Sequence, residues 1–154
     1  MSKVVFLVFV CLVVIVNADT KTKQCKGFRP LQPSEVDVSN CAGGICRLKR
    51  RTKATITLKI KPDRDIKDLT TSVQASIGQF YVPFVGVDGT TACNNIFDES
   101  GKKTSCPLRK GQTYIYKNSF DVLELYPRIQ LVVRWALKSG NADISCFEID
   151  ARIV

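Results

Sequence analysis

Four segments of the chain alternate apolar and polar residues with a period of two. They cover residues 53–61, 69–77, 128–138 and 146–153. Such alternation is typical of a β-strand that buries one side and exposes the other to water. No segment combines a period of 3.6 residues with capping residues, so the pattern predicts strands and no helices.

Weaker strand patterns bring the expected total to seven or eight strands. Turn sequences such as Val87-Asp88-Gly89 and Ser139-Gly140-Asn141 separate the strands. The weaker patterns lie at residues 23–28, 35–38, 79–85 and 113–120. Short strands at this spacing, without helices, predict an all-β fold. We expect an immunoglobulin-like β-sandwich of two antiparallel sheets packed face to face.

The first 18 residues have the composition of a secretory signal peptide. Lys3 precedes an apolar run from Val4 to Val16, and the small residue Ala18 ends the segment. The run is shorter than the roughly 20 residues that a membrane-spanning helix needs, which argues against an uncleaved anchor. We therefore predict cleavage after residue 18, a single domain over residues 19–154, and secretion from the cell.

Six cysteines remain once Cys11 has left with the signal peptide. An even number in a secreted protein indicates disulfides rather than metal ligands or a nucleophile. Two glycines between Cys41 and Cys46 suit a small ring, and Cys93 and Cys106 bracket a polar loop. The two remaining cysteines would then join the first strand to the last. The predicted pairs are Cys25–Cys146, Cys41–Cys46 and Cys93–Cys106.

The composition excludes several kinds of active site. The chain has no histidine, so a Ser-His-Asp triad, a Cys-His pair and a histidine metal site cannot form. Carboxylates cluster at residues 63–68 and 98–99. They lie among turn residues and basic side chains, which favours solvated loops over a pair of acid and base catalysts. We expect neither an enzyme nor a bound cofactor or metal.

The chain is basic, with a formal net charge of +9, and loss of Lys3 with the signal peptide lowers the charge to about +8. Most basic residues alternate along strand-like segments, as on a solvated face. We expect no nucleic-acid binding, and we hypothesise transient contact with anionic membranes. The basic run 47–51 directly precedes the strand pattern at 53–61, so we interpret it as ordered backbone rather than a protease processing site.

Short motifs with a characteristic order are spread over nearly the whole chain, from Cys25 to Val154. They are Val38-Ser39-Asn40-Cys41, Tyr81-Val82-Pro83-Phe84, Cys106-Pro107-Leu108, Gly111-Gln112-Thr113-Tyr114-Ile115-Tyr116, Tyr126-Pro127, Leu131-Val132-Val133-Arg134-Trp135 and Cys146-Phe147-Glu148-Ile149. This arrangement resembles the ML lipid-recognition domain family, and within it the soluble Niemann-Pick type C sterol carriers. The resemblance implies a two-sheet sandwich with a lipid between the sheets, and the three disulfide pairs given above.

The same resemblance implies ten residues that line a lipid pocket. They are Tyr81, Val82, Pro83 and Phe84 near the mouth, Tyr114 and Tyr116 on one strand, Val133 and Trp135 on another, and Phe147 and Ile149 deeper. Pro83 cannot donate a hydrogen bond within a central strand, so the run 81–84 suits a strand end at a pocket mouth. An ordinary packed core is the alternative interpretation for strand residues such as Leu131 and Ile149.

The function that the resemblance implies is the binding and transport of one cholesterol-like sterol. We expect the protein to be a monomer. A membrane sterol transporter is a candidate partner. The alternatives are a carrier of fatty acids or semiochemicals and an innate-immunity protein that recognises bacterial lipid. The sequence has no Asn-x-Ser/Thr sequon, so glycan-directed delivery to lysosomes has no signal. Secretion is the expected localisation, and the endosome or lysosome lumen is the alternative.

Overall fold

The alternating segments form long strands in a computed structural model that describes residues 19–154. The predicted signal peptide, residues 1–18, lies outside the described residues. The elements are β1 (Lys23–Gln24), β2 (Val36–Val38), β3 (Cys41–Ala42), β4 (Ile45–Leu48), β5 (Thr52–Ile60), β6 (Thr70–Ile77), β7 (Phe80–Pro83), a 3₁₀ helix (Cys93–Asn95), β8 (Ile96–Asp98), β9 (Lys103–Thr104), β10 (Tyr114–Val122), β11 (Gln130–Ser139) and β12 (Ala142–Ile153).

These strands form two sheets. The large sheet has the order β3-β4-β12-β11-β6-β7, and β1 also pairs with β12. The small sheet has the order β2-β5-β10-β8-β9. Residues from both sheets share one buried apolar core, which confirms the predicted all-β sandwich. One pair departs from the antiparallel expectation, since β4 runs parallel to β12.

The period-two pattern determines which side chains face the core. Along β11, Leu131, Val133, Trp135 and Leu137 are buried at alternate positions. The inner-facing residues of β12 lie opposite them, with Trp135 paired to Phe147 and Val133 paired to Ile149. In the small sheet, β5 and β10 present the apposed face, where Leu58 is paired to Tyr116.

The burial of two residues differs from what the alternating pattern predicts. Ala136 falls on the outer face of β11, yet it is fully buried, because the disulfide between Cys25 and Cys146 covers it together with Phe28. Ile77 falls on the inner face of β6, yet it is 37% exposed, because it lies at the end of its strand. The remainder of β6 alternates as predicted.

The predicted strand at 23–28 is too long. Only β1 is paired, and the chain turns at Gly27, where φ is +85° and the Phe28 N–H donates to the Cys25 carbonyl at 3.1 Å. The short strands β3, β4, β8 and β9 were not predicted, since two to four residues are too few to show a period. Each belongs to a hairpin that a disulfide spans or adjoins.

Residues 19–154 contain three disulfides, and they join the predicted cysteines. Cys25–Cys146 connects the first strand region to β12, Cys41–Cys46 closes the β3–β4 hairpin, and Cys93–Cys106 spans the segment that holds β8 and β9. Their sequence separations are 121, 5 and 13 residues. The first disulfide therefore constrains the unfolded chain most.

The ring sizes predict how much stability each disulfide contributes. Replacing Cys25 and Cys146 by alanine should lower the free energy of unfolding by about 5 kcal/mol, and replacing Cys41 and Cys46 by about 2 kcal/mol, because loop-closure entropy grows with ring size. Urea denaturation of the two double variants measures both losses. Equal losses would show that chain entropy is not the main contribution of these bonds.

Candidate functional site

An apolar cavity lies under one end of the large sheet. It has a volume of about 70 Å³. Strands β6, β7, β11 and β12 form its wall, and the segment between β10 and β11 covers it. The lining residues are Ala75, Ile77, Val82, Pro83, Phe84, Tyr126, Pro127, Ile129, Leu131 and Ile153. None of these residues has a charged side chain, so the cavity suits an apolar ligand.

Three of the ten residues proposed from the sequence line this cavity, namely Val82, Pro83 and Phe84. Tyr81 lies beside them on β7, but it is 63% exposed and does not line the cavity. The other six, Tyr114, Tyr116, Val133, Trp135, Phe147 and Ile149, are buried in the sandwich core outside the cavity lining. Their contact with a ligand stays a prediction.

Tyr114 is the most remote of the six. Its hydroxyl accepts a hydrogen bond from the Arg109 backbone N–H at 3.0 Å and donates to Gln112 at 3.1 Å. Six residues of extended strand, about 20 Å, separate it from Phe120, which contacts the cavity residue Phe84. Tyr114 thus lies towards the opposite end of the sandwich.

An aromatic row connects the cavity with the centre of the core. We use this name for Tyr126, Phe84, Phe120, Trp135 and Tyr116. Successive ring centroids along the row are 5.6, 5.8, 5.5 and 6.4 Å apart. The first two contacts are edge to face, and the rings come from β10, β11 and the segments that follow β7 and β10. A ligand that displaced Phe84 and Phe120 would extend along this row between the sheets.

Sequence reasoning did not name the lining residues that come from the connection between β10 and β11 and from the end of β12. Tyr126, Pro127, Ile129 and Ile153 belong to the connection after β10 and to the end of the chain. Tyr126-Pro127 was part of a motif, but no periodic pattern covers a connecting segment. Its position over the cavity depends on the Tyr126 hydroxyl, which accepts a hydrogen bond from the Val85 backbone N–H at 3.0 Å.

The segment from Phe84 to Thr90 is held against β6 as a continuation of the sheet edge. The Phe84 N–H donates to the Val73 carbonyl at 3.0 Å, and the Gly89 N–H donates to the Thr71 carbonyl at 2.8 Å. The Asp88 carboxylate accepts the Val73 N–H at 2.7 Å. Gly89 adopts a φ of +74°, which a side chain would strain. These bonds fix the position of Phe84 at the cavity.

Exposed apolar side chains surround the cavity opening. Within residues 19–154, every large hydrophobic residue classed as exposed lies on the end of β6, on β7 or its following loop, or on the connection that covers the cavity. They are Ile77, Phe80, Tyr81, Val82, Val85 and Leu125, between 37% and 76% exposed. We call them the apolar rim. Apolar patches of this kind mark surfaces that meet a membrane or another apolar partner.

Basic side chains flank the cavity on the side of Ile129 and Ile153. A groove that shares these two residues with the cavity is also lined by Arg128 and Arg152. A second groove is also lined by Arg128, together with Lys49, Arg50, Arg51 and Glu124. Glu124 forms an ion pair with Arg51. We call Lys49, Arg50, Arg51, Arg128 and Arg152 the basic flank. The opening therefore combines apolar and cationic surface.

The family model for the ML domain matches residues 19–153. The chain belongs to the ML domain family. Among curated relatives, the NPC intracellular cholesterol transporter 2 homolog a of Drosophila melanogaster is 28% identical over 96% of this chain and 97% of its own length. The ecdysteroid-regulated 16 kDa protein of Manduca sexta is 33% identical over 70% of each chain. The cholesterol transporter 2 of Mus musculus is 28% identical over 77% of this chain and 75% of its own.

A solved structure shows the same fold. The Niemann-Pick type C2 protein of the Japanese carpenter ant superposes with a TM-score of 0.66 at 24% sequence identity, and the match covers 79% of this chain and 90% of the other. Within residues 19–154, no helix has the length and apolar character needed to cross a bilayer. The family assignment confirms the prediction of a lipid-binding protein rather than an enzyme.

Removal of the Asp88 carboxylate should loosen the segment that holds Phe84 at the cavity. Asp88→Ala should lower the free energy of unfolding by about 1.5 to 3 kcal/mol, because the Val73 N–H would lose a charged acceptor. Asp121→Ala serves as the control, since the exposed ion pair of Asp121 with Lys53 should contribute less than about 1 kcal/mol. Urea denaturation measures both, and amide exchange should accelerate over 84–90 only in the Asp88 variant. Equal effects would contradict the assigned role.

Proposed function

We propose that this chain is a secreted carrier that binds one sterol in a pocket between its sheets and transfers it between membranes. The observation that carries this proposal is the apolar cavity, together with the aromatic row that leads from its lining residues Tyr126 and Phe84 into the core. The similarity to the Drosophila and mouse relatives, which are named as cholesterol transporters, supports a sterol as the ligand. The apolar run at residues 1–18 and the three disulfides support secretion.

Ligand binding requires the site to open. Small-molecule pockets usually enclose about 300 to 1,000 Å³, whereas the cavity encloses about 70 Å³. The six core residues named from the sequence would then become the inner walls, beginning with Val133 and its register partner Ile149. Val133 has Leu131 on the same face of β11, and Leu131 already lines the cavity together with Ala75, the register partner of Val133.

Burial of apolar surface can supply the affinity. Roughly 400 Å² of buried ligand surface yields about 10 to 13 kcal/mol at about 25 to 33 cal/mol per Å². Association costs of at least about 4 kcal/mol leave about 6 to 9 kcal/mol. This corresponds to dissociation constants from tens of micromolar to below one micromolar, which suits a carrier that must also release its ligand.

The cavity size also bears on the alternatives. A recogniser of bacterial lipid with several acyl chains would need a much wider opening between the sheets than the present cavity shows. A fatty acid or a semiochemical with one slender chain would need a smaller displacement of Phe84 and Phe120 than a sterol does. The fatty-acid carrier is therefore the second candidate, and ligand titration distinguishes the two.

Filling the space behind the cavity tests the pocket. Val133→Trp should abolish sterol binding and cost only about 1 to 3 kcal/mol of stability, because the region that opens for a ligand can accommodate the extra ring. Val132→Trp is the matched control, since Val132 precedes Val133 on the opposite face of β11. That variant should bind as the wild type does.

The measurement is titration of the delipidated protein with a fluorescent sterol and, separately, with a fluorescent fatty acid. Saturable sterol binding near one to one, lost only in the Val133 variant, supports the sterol carrier. Binding of the fatty acid alone would transfer the proposal to the second candidate. Failure of both probes with the wild type would contradict an internal pocket.

The opening is proposed to dock on anionic bilayers during ligand exchange. The apolar rim would enter the interface while the basic flank contacts anionic headgroups, which contributes about 1 kcal/mol per basic residue near the surface. This attraction is screened within about 8 Å at physiological salt. Monomeric transfer, release to a membrane sterol transporter, and delivery to an endosome or lysosome lumen are compatible with such docking.

Neutralising two residues of the basic flank tests the docking. Arg50→Gln with Arg128→Gln should weaken partitioning to vesicles that contain phosphatidylserine by about 10- to 30-fold. Lys102→Gln with Lys103→Gln, at the β8–β9 hairpin, is the control with the same change in net charge and should have a much smaller effect. If both double variants lost partitioning equally, only the net charge would matter.

A further inference from the structure

Two arginines lie side by side on the outer face of the large sheet. Arg47 of β4 and Arg152 of β12 are register partners in the parallel pair, and adjacent strands lie about 4.8 Å apart. Each arginine is exposed and lies between two buried residues of its strand, so both side chains are on the outer face. Like charges at paired positions are destabilising. The Arg47–Arg152 pair therefore lowers the stability of the sheet.

Two more cations extend this surface towards the end of the sheet. Arg128 lines one groove together with Arg152 and a second groove together with Lys49. We call Arg47, Lys49, Arg128 and Arg152 the outer basic patch. All four residues are exposed, and all except Arg47 also belong to the basic flank. The patch therefore reaches from β4 across β12 to the start of β11.

The protein does not neutralise these charges itself. Among residues 19–154, no member of the outer basic patch forms an ion pair. The two acidic residues beside the patch have other partners, since Glu124 pairs with Arg51 and Asp150 pairs with Lys23. An anion bound from outside would remove the repulsion that the fold leaves in place.

The extent of the patch determines the kind of anion that fits it. The four cations are spread over two strand spacings, about 10 Å, so a single compact anion would contact only one or two of them. A ligand with several anionic groups along its length would contact all four. An arginine guanidinium donates two parallel hydrogen bonds to the oxygens of such groups. The patch is therefore suited to a polyanion.

The surroundings of the patch restrict the class of polyanion. In the described part of the chain, the exposed large hydrophobic residues all belong to the apolar rim, and none lies on the patch. Protein interfaces rely on aromatic and apolar anchors, single-stranded nucleic acids stack their bases on aromatic rings, and bilayers take up apolar side chains. The patch offers only charge and hydrogen-bond donors, which is what a sulfated polysaccharide requires.

We propose that the outer basic patch binds a sulfated polysaccharide. Arg47 and Arg152 donate hydrogen bonds to one sulfate group, which removes their mutual repulsion, and Lys49 and Arg128 contact further sulfates of the same chain. In the sheet order, β4 lies four strand spacings from β7, about 19 Å. Arg47 is thus remote from the part of the apolar rim on β7. The site goes beyond the proposed lipid carriage and does not depend on the pocket.

Titration with a fluorescein-labelled heparin octasaccharide, followed by fluorescence anisotropy at physiological salt, tests the site. Arg47→Gln with Arg152→Gln should weaken binding by about 10-fold, because two charge pairs are lost. The slope of log K against log salt should fall by about two in this variant. Lys102→Gln with Lys103→Gln is the control with the same change in net charge, and its affinity should stay within about twofold of the wild type.

Two further ligands identify the chemistry that is recognised. A desulfated heparin octasaccharide, which keeps its carboxylates, should bind the wild type much more weakly than the sulfated one. A duplex DNA oligonucleotide of equal charge should do the same. Equal affinity for either of these ligands would overturn the assignment to a sulfated polysaccharide. Equal weakening of heparin binding by both double variants, or no heparin binding by the wild type, would overturn it as well.

Arg47→Gln alone separates the polysaccharide from a bilayer, because Arg47 lies outside the basic flank. This variant should weaken heparin binding by about threefold and leave partitioning to phosphatidylserine vesicles unchanged. It should also raise the midpoint of urea denaturation slightly, since the repulsion with Arg152 is lost. An equal loss in both binding assays would assign Arg47 to a membrane surface instead. A lower midpoint would contradict the repulsion on which the inference is built.

Discussion

Burial of two apolar sheet faces against each other is the interaction on which the rest of this structure depends. Each sheet has one apolar side, and neither side can leave water except against the other. The long strands β5, β10, β11 and β12 make this contact, and the shorter strands extend its edges. At one end, β7 and the connection after β10 cover the core with aromatic and proline residues rather than another strand. The core therefore reaches the surface there.

The fold was largely predictable because its main strands are long enough to show a period. The alternation at 53–61 and 146–153 identified both the strands and their inner faces. What the alternation could not supply is non-local. The parallel pairing of β4 with β12 joins residues about a hundred positions apart, and strands of two to four residues carry no period. Burial of Ala136 likewise depends on a disulfide that covers the outer face.

The candidate site was less predictable, for a related physical reason. Val82, Pro83 and Phe84 were identified through the family resemblance, and the position of a proline at a strand end supported the assignment. Ile129 and Ile153 line the cavity through distant parts of the chain that only the folded register brings together. The polar contacts of Tyr116 inside the sandwich were missed altogether. Thr71 and Asn118 look like ordinary polar residues in a sequence, and only the structure shows that their side chains contact the Tyr116 hydroxyl.

Apolar walls and polar atoms discriminate ligands to different degrees. A missing methylene in an apolar pocket changes binding by only about 1 to 3 kcal/mol, whereas a site built to bond an oxygen strongly rejects an analogue that lacks it. The cavity walls would therefore accept many slender lipids of similar shape. Selectivity for a polar end would have to come from charged or polar atoms, and beside the cavity these belong to the basic flank, where Arg128 and Arg152 lie next to Ile129 and Ile153. The opening, rather than the apolar wall, is therefore the part of this site that would distinguish ligands by their polar ends.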